Sequence, residues 1–159
     1  MSGGDPDRSP VVRTVEIRST PERVFELFTD PEQLVRWWPD AARLEPRVGG
    51  RLELEFEGRG EVSGEITRYE PPHALGFTWV RGIAPDVTTQ VDVTIAAAGE
   101  DRVVVELVHS GWEAVPEEQV AEWRALHSAG WSFFLGCLVE LAEGRPVDKS
   151  WDPMTPPPN

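Results

Sequence analysis

Apolar residues recur along this chain with two different periods. From residue 51 to residue 110 they fall on every second position, and from residue 117 to residue 144 on every third or fourth. The first spacing is that of strands with one buried face, and the second is that of a helix with one buried stripe. Before both, Val11 to Arg18 alternates, with Arg13, Val15 and Ile17 facing one way and Thr14, Glu16 and Arg18 the other. This predicts a strand. Ser19-Thr20-Pro21-Glu22 reads as a helix start with Thr20 as cap and Pro21 in the first turn. Val24, Phe25 and Phe28 give that helix its apolar face. Thr29-Asp30-Pro31-Glu32 repeats the signal and predicts a second short helix carrying Leu34, Trp37 and Trp38 up to Pro39.

The period-two region divides at turn residues. A short strand is expected over residues 43–48, followed by a turn at Gly49-Gly50. Leu52, Leu54 and Phe56 then alternate with Glu53, Glu55 and Glu57, giving a half-buried strand with an acidic outer face. Gly58-Arg59-Gly60 reads as a hairpin connection. Strands follow at 61–70 (Val62, Gly64 and Ile66 inward), 73–81 (Leu75, Phe77 and Trp79 inward), 87–97 (Val87, Thr89, Val91, Val93 and Ile95 inward) and 102–110 (Val103, Val105, Leu107 and His109 inward). In the last helix, Val120, Trp123, His127, Trp131, Phe134, Leu138 and Leu141 form the stripe, widened by Leu126, Phe133 and Cys137. Pro116-Glu117 opens it and Gly144-Arg145-Pro146 closes it.

A strand, two short helices, a run of short-turned strands and a long helix make an α+β architecture. The strands form an antiparallel meander, able to bend at Gly49, Gly50 and Gly64, with the last helix in its concave side. Residues 1–10 read as a loose tail, 11–144 as one domain and 145–159 as a Pro-rich tail in which Trp151 is the apolar residue.

Charge and composition narrow the function classes. The chain has 159 residues and a formal net charge of −13, which disfavours nucleic acid and anionic membrane surfaces as partners. No uninterrupted apolar run approaches the roughly 20 residues of a membrane helix, and no secretory signal is visible. One cysteine, Cys137, is expected as a buried apolar thiol, and a reducing cytoplasmic setting fits it.

Two histidines, His109 and His127, fall on inward faces and converge on one end of the predicted interior. They read either as satisfied core histidines or as a polar pair that orients a ligand or moves a proton. His73 is expected at the surface. Arg13, inward at the start of its strand, reads either as a partner for a ligand carboxylate or as a side chain that escapes to solvent at the sheet end, and escape is the expectation. Trp37, Phe56, Trp79, Trp123, Trp131 and Phe134, with the two histidines, are the candidate cavity-lining residues, since tryptophan joins a large apolar body to one donor. The candidate ligand is small and apolar or aromatic. No metal site is read, because two histidines without a third ligand fall short of one. No cofactor motif and no assignable catalytic set appear.

The ordered set VF, TDPE, WW, EPP with TW, HSGW and a closing GW, spread over residues 11–143, resembles the SRPBCC superfamily, also called START-like or helix-grip proteins. Within it the chain is most similar to the branch named after the activator of heat-shock protein 90 ATPase. The resemblance implies six or seven antiparallel strands wrapped on the C-terminal helix with a cavity between. It implies a container and no particular reaction. The expected function is binding of a small hydrophobic molecule. The alternatives are an enzyme of cyclase or hydrolase type using His109 or His127, and a chaperone-associated module docking through its acidic outer sheet. A homodimer is compatible with each.

Overall fold

The structure, a computed structural model, describes residues 8–57, 60–80 and 86–150. Its elements in chain order are β1 (Val11–Ile17), α1 (Pro21–Thr29), α2 (Pro31–Leu34), β2 (Ala41–Leu44), β3 (Arg51–Phe56), β4 (Gly60–Glu70), β5 (Ala74–Val80), β6 (Thr88–Ala97), β7 (Val103–Ser110), a 3-10 turn at Trp112–Ala114, and α3 (Glu117–Ala142). The strands form one seven-stranded antiparallel sheet in the order β1-β7-β6-β5-β4-β3-β2. β2 to β7 are thus a meander, and β1 closes onto β7 with Val11 opposite His109. The α+β helix-grip architecture expected from the sequence is the one observed.

The helix starts are made by the capping residues the sequence displays. Thr20 Oγ1 accepts from the Arg23 amide at 3.2 Å, and Asp30 Oδ1 accepts from the Glu32 amide at 3.0 Å. The second helix is shorter than expected. It stops at Leu34, and Trp37 and Trp38 lie beyond it in a turn whose amides bond the Leu34 carbonyl at 3.2 and 3.0 Å. β2 also lies earlier, at 41–44 instead of 43–48. Residues 45–50 fold on themselves instead, with Arg47 N on Glu45 O and Gly50 N on Arg47 O.

The interior faces predicted for β6 and β7 are observed: Val87, Thr89, Val91, Val93 and Ile95, and Val103, Val105, Leu107 and His109, are all buried. A bulge between Ile66 and Arg68 shifts the β4–β5 register. Gly64 permits the close approach beside it, since a Cβ there would stand 2.0 Å from the Thr78 carbonyl oxygen.

α3 buries Val120, Gly130, Trp131, Phe134, Leu135, Cys137, Leu138 and Leu141. The stripe leans away from the expected side: Leu135 is fully buried, whereas Leu126 and Phe133 are half-buried. Among the described residues, α3 is the one helix long and apolar enough to cross a membrane by length and composition. Its apolar side chains are accounted for by the sheet that grips it. Arg13 is partly buried, and its side chain lies along the surface of α3, where Nε donates to Ser132 Oγ at 2.8 Å and Nη2 donates to Ser128 Oγ. His73 is exposed, as expected. The Gly58-Arg59 part of the predicted hairpin connection and Trp151 lie outside the described residues.

Candidate functional site

β5, β6 and β7 lie side by side, and their register places Trp79 directly opposite Thr89, with Val91 opposite His109. Thr89 is therefore the diagonal neighbour of His109 on the same face. α3 lays His127 and Trp131, one turn apart, over that patch. The result is a continuous array of rings. Trp79 has centroid distances of 5.6 Å to His109, 5.9 Å to His127 and 5.5 Å to Trp131. The two imidazoles are 5.4 Å apart. Trp38 is the hub on the other side, meeting Trp37, Phe56, Phe77, Trp79 and Trp131 at 5.1 to 6.3 Å. Phe134 joins through Phe56 at 6.4 Å, and Trp123 joins through His127 at 6.2 Å. Trp37 stacks on Trp38, meets Phe28 edge to face and gives its indole N–H to the Leu27 carbonyl at 2.8 Å, so it backs the array.

Hydrogen bonding fixes the state of both histidines. An indole N–H can only donate. Trp131 Nε1 donates to His109 Nδ1 at 3.0 Å, so that nitrogen carries no proton. The ring proton of neutral His109 is then on Nε2, which donates to Thr89 Oγ1 at 2.7 Å. At His127 the arrangement is reversed. Nδ1 lies 2.8 Å from the Trp123 carbonyl, which can only accept, and Nε2 accepts from Trp79 Nε1 at 3.2 Å. Each histidine is thus held as one neutral tautomer by one tryptophan donor and one oxygen acceptor. Burial, and secondly the neighbouring His127, hold His109 well below the ordinary imidazole range. Burial also lowers His127, partly offset by its bond to the Trp123 carbonyl. The His127 ring is wedged among Trp79, His109 and Trp112.

The structure brings His109, His127, Trp79 and Trp131 into one cluster and attaches Trp123, Phe56 and Phe134 at its margins. Trp123, His127 and Phe56 are half-buried, while His109 is fully buried, so the array runs from near the surface to the core. Three participants were absent from the sequence-derived set. Trp38 is the hub. Trp112 donates its indole N–H to the His109 carbonyl at 2.9 Å. Thr89 had a visible signal, being the one hydroxyl on an otherwise apolar strand face. No buried side-chain nitrogen or oxygen among the described residues lacks a partner.

A groove of about 490 Å³ opens beside the array between Asp40, Glu55, Phe56, Glu57 and Glu61. Phe56 is common to both, and Ala41, Gly60 and four carboxylates complete the lining of the groove. Among the described residues no three histidine, cysteine, aspartate or glutamate side chains converge as a metal site would need.

Comparison with known proteins agrees with this architecture. The profile of the family described as "Activator of Hsp90 ATPase homolog 1-like protein" matches residues 18–143. No functionally curated protein matches the chain. Among solved structures, the chain is similar to CalU16 from Micromonospora echinospora (26% identity over 86% of this chain and 76% of that one, TM-score 0.67). It is also similar to the AHSA1-like protein RHE_CH02687 from Rhizobium etli (29%, 87% and 84%, TM-score 0.63). A third similar structure is PFC0360w, an HSP90 activator from Plasmodium falciparum (25%, 88% and 99%, TM-score 0.70).

Proposed function

The chain belongs to the Activator of Hsp90 ATPase homolog 1-like family of the SRPBCC superfamily, and from that premise we propose that it binds a small, planar, apolar molecule in the aromatic array between α3 and the sheet. The observation that carries this reading is the array itself. It leads without interruption from half-buried Trp123, His127 and Phe56 to fully buried His109. Such a surface recognises a guest by ring contacts, each worth about 0.5–1.5 kcal/mol beyond the area buried. The polar groups lining it are already bonded to one another. A guest that demands a hydrogen bond would have to break a histidine–indole pair, so the site favours ligands without strongly polar groups facing inward. A reducing, cytoplasmic setting is part of the same proposal, supported by the single buried thiol.

The enzyme alternative draws less support. A general base needs a free nitrogen within reach of the substrate, and both nitrogens of each histidine are engaged by protein groups. A docking role has one observation in its favour. Glu55 and Glu61 stand directly opposite each other on the outer β3–β4 surface, a like-charge pairing that a basic partner would relieve.

Isothermal titration with neutral 2-naphthol and anthraquinone tests the binding reading. Saturable binding is expected, with about tenfold weaker affinity in Trp123→Ala, whose side chain is partly buried at the margin of the core. No heat from either compound, or equal affinity in Trp123→Ala, would contradict it. Retention of a heat-shock protein 90 homologue on the immobilised chain at low salt, lost at high salt, would favour the docking reading instead.

A further inference from the structure

The segment after α3 is bound to the body in a way the fold itself does not require. Gly144, at φ +80°, turns the chain out of the helix. Residues 145–150 then reach the connection between α2 and β2. Lys149 makes the attachment. Its Nζ donates to the Val35 carbonyl at 2.6 Å and to the Pro39 carbonyl at 2.7 Å, and lies 3.6 Å from Asp40 Oδ1. An ammonium has three N–H donors and no acceptor, so all three face an acceptor here. Lys149 is the single lysine of the chain, and every other Lys/Arg position is arginine. A compact, rotatable ammonium can meet carbonyls on two sides of a turn, where a planar guanidinium fork would not fit the same geometry.

The two carbonyls it joins flank Trp37 and Trp38. Trp38 is the hub of the aromatic array, so the lysine closes a bracket around the residue on which the array depends. Two further contacts hold the segment down. Val147 packs against the core, and Cys137 Sγ donates to the Asp148 carbonyl at 3.6 Å. Cys137 is 6% exposed beneath it.

We propose that residues 145–150 are a strap latched by Lys149, which fixes the Trp37–Trp38 turn and so sets the packing of the aromatic array, and which opens as a unit without unfolding the domain. Opening uncovers Cys137. While the strap is closed the thiol is doubly protected, by cover and by a pKa pushed up to about 11, chiefly by burial. The strap acts on the array from behind, through Trp38, and stands whether or not a guest enters from the Trp123 side.

Labelling of Cys137 in the full chain with the neutral reagent 4,4′-dithiodipyridine reads the strap directly. Lys149→Met is expected to react about tenfold faster than wild type, with a changed near-ultraviolet circular dichroism from the tryptophans. In wild type the rate is expected to be flat at low urea, as local opening requires. Equal rates in Lys149→Met and wild type would overturn the proposal. So would a rise no larger than the increase in the globally unfolded fraction measured by urea unfolding. A wild-type rate that climbs with urea along the global unfolding slope would overturn it as well, and needs no variant.

Discussion

At the scale of single residues, two neutral histidines organise the site. Trp131 to His109 to Thr89, and Trp79 to His127 to the Trp123 carbonyl, are two chains of donors and acceptors with nothing left over. Replacing Trp131 with Phe keeps most of the ring but removes the donor to a fully buried nitrogen. The expected cost is about 1–3 kcal/mol in urea unfolding, and an unchanged midpoint would contradict the assignment. Both histidines are held below the ordinary imidazole value in the folded chain. Below about pH 6.5 the unfolded chain therefore binds more protons than the folded one. Stability is at its full value above that pH and falls as pH drops through it. Each histidine contributes at most about 1.4 kcal/mol per pH unit to the slope. His127→Gln is expected to flatten the acid limb between pH 6.5 and 5, and an identical slope would show that His127 is protonated in the fold. The convergence of these histidines was legible from strand and helix periodicity. Their tautomers were not, because the donors that fix them come from residues 22 and 48 positions away, which a linear pattern does not connect.

At the scale of elements, the strands were read more faithfully than the connections. β6 and β7 each have one face that alternates without interruption, and register follows from it. α2 ends before its apolar spacing predicts: Leu34, Trp37 and Trp38 are spaced like a helix face, yet Trp37 and Trp38 are drawn inward by ring packing after the helix has ended. Likewise the side to which the α3 stripe leans is decided by where the sheet curves, which places Leu135 and not Leu126 in the core. Two glycines separate packing from propensity. A Cβ at Gly64 would collide with the Thr78 carbonyl, whereas nothing lies within 4 Å of one at Gly136. Gly64→Ala is expected to destabilise by about 1–3 kcal/mol or more. Gly136→Ala, on an exposed helical position, is expected to stabilise by about 0.5–1 kcal/mol. Thermal unfolding of the two variants checks both signs, and a reversal of either would mean the β4–β5 approach or the α3 surface is misdescribed.

At the scale of the whole molecule, a net charge of −13 coexists with a wholly neutral interior site. Like charges meet on the outer sheet, where Glu55 faces Glu61. Raising ionic strength from about 0.01 M to about 0.15 M shortens the screening length from ~30 Å to ~8 Å. Urea stability is expected to rise over that range, and a fall would mean that attractive pairs dominate the surface. The inner surface is uncharged and carries the ring array, which ties fold and proposed ligand chemistry together. The most direct measurement is the ¹⁵N spectrum of the seven tryptophan indole groups during titration with anthraquinone. The account predicts saturable shifts of the Trp79, Trp123 and Trp131 indole signals at one common affinity, with the Trp37 signal moving least. Immobile Trp79 and Trp131 signals at saturating anthraquinone would contradict it.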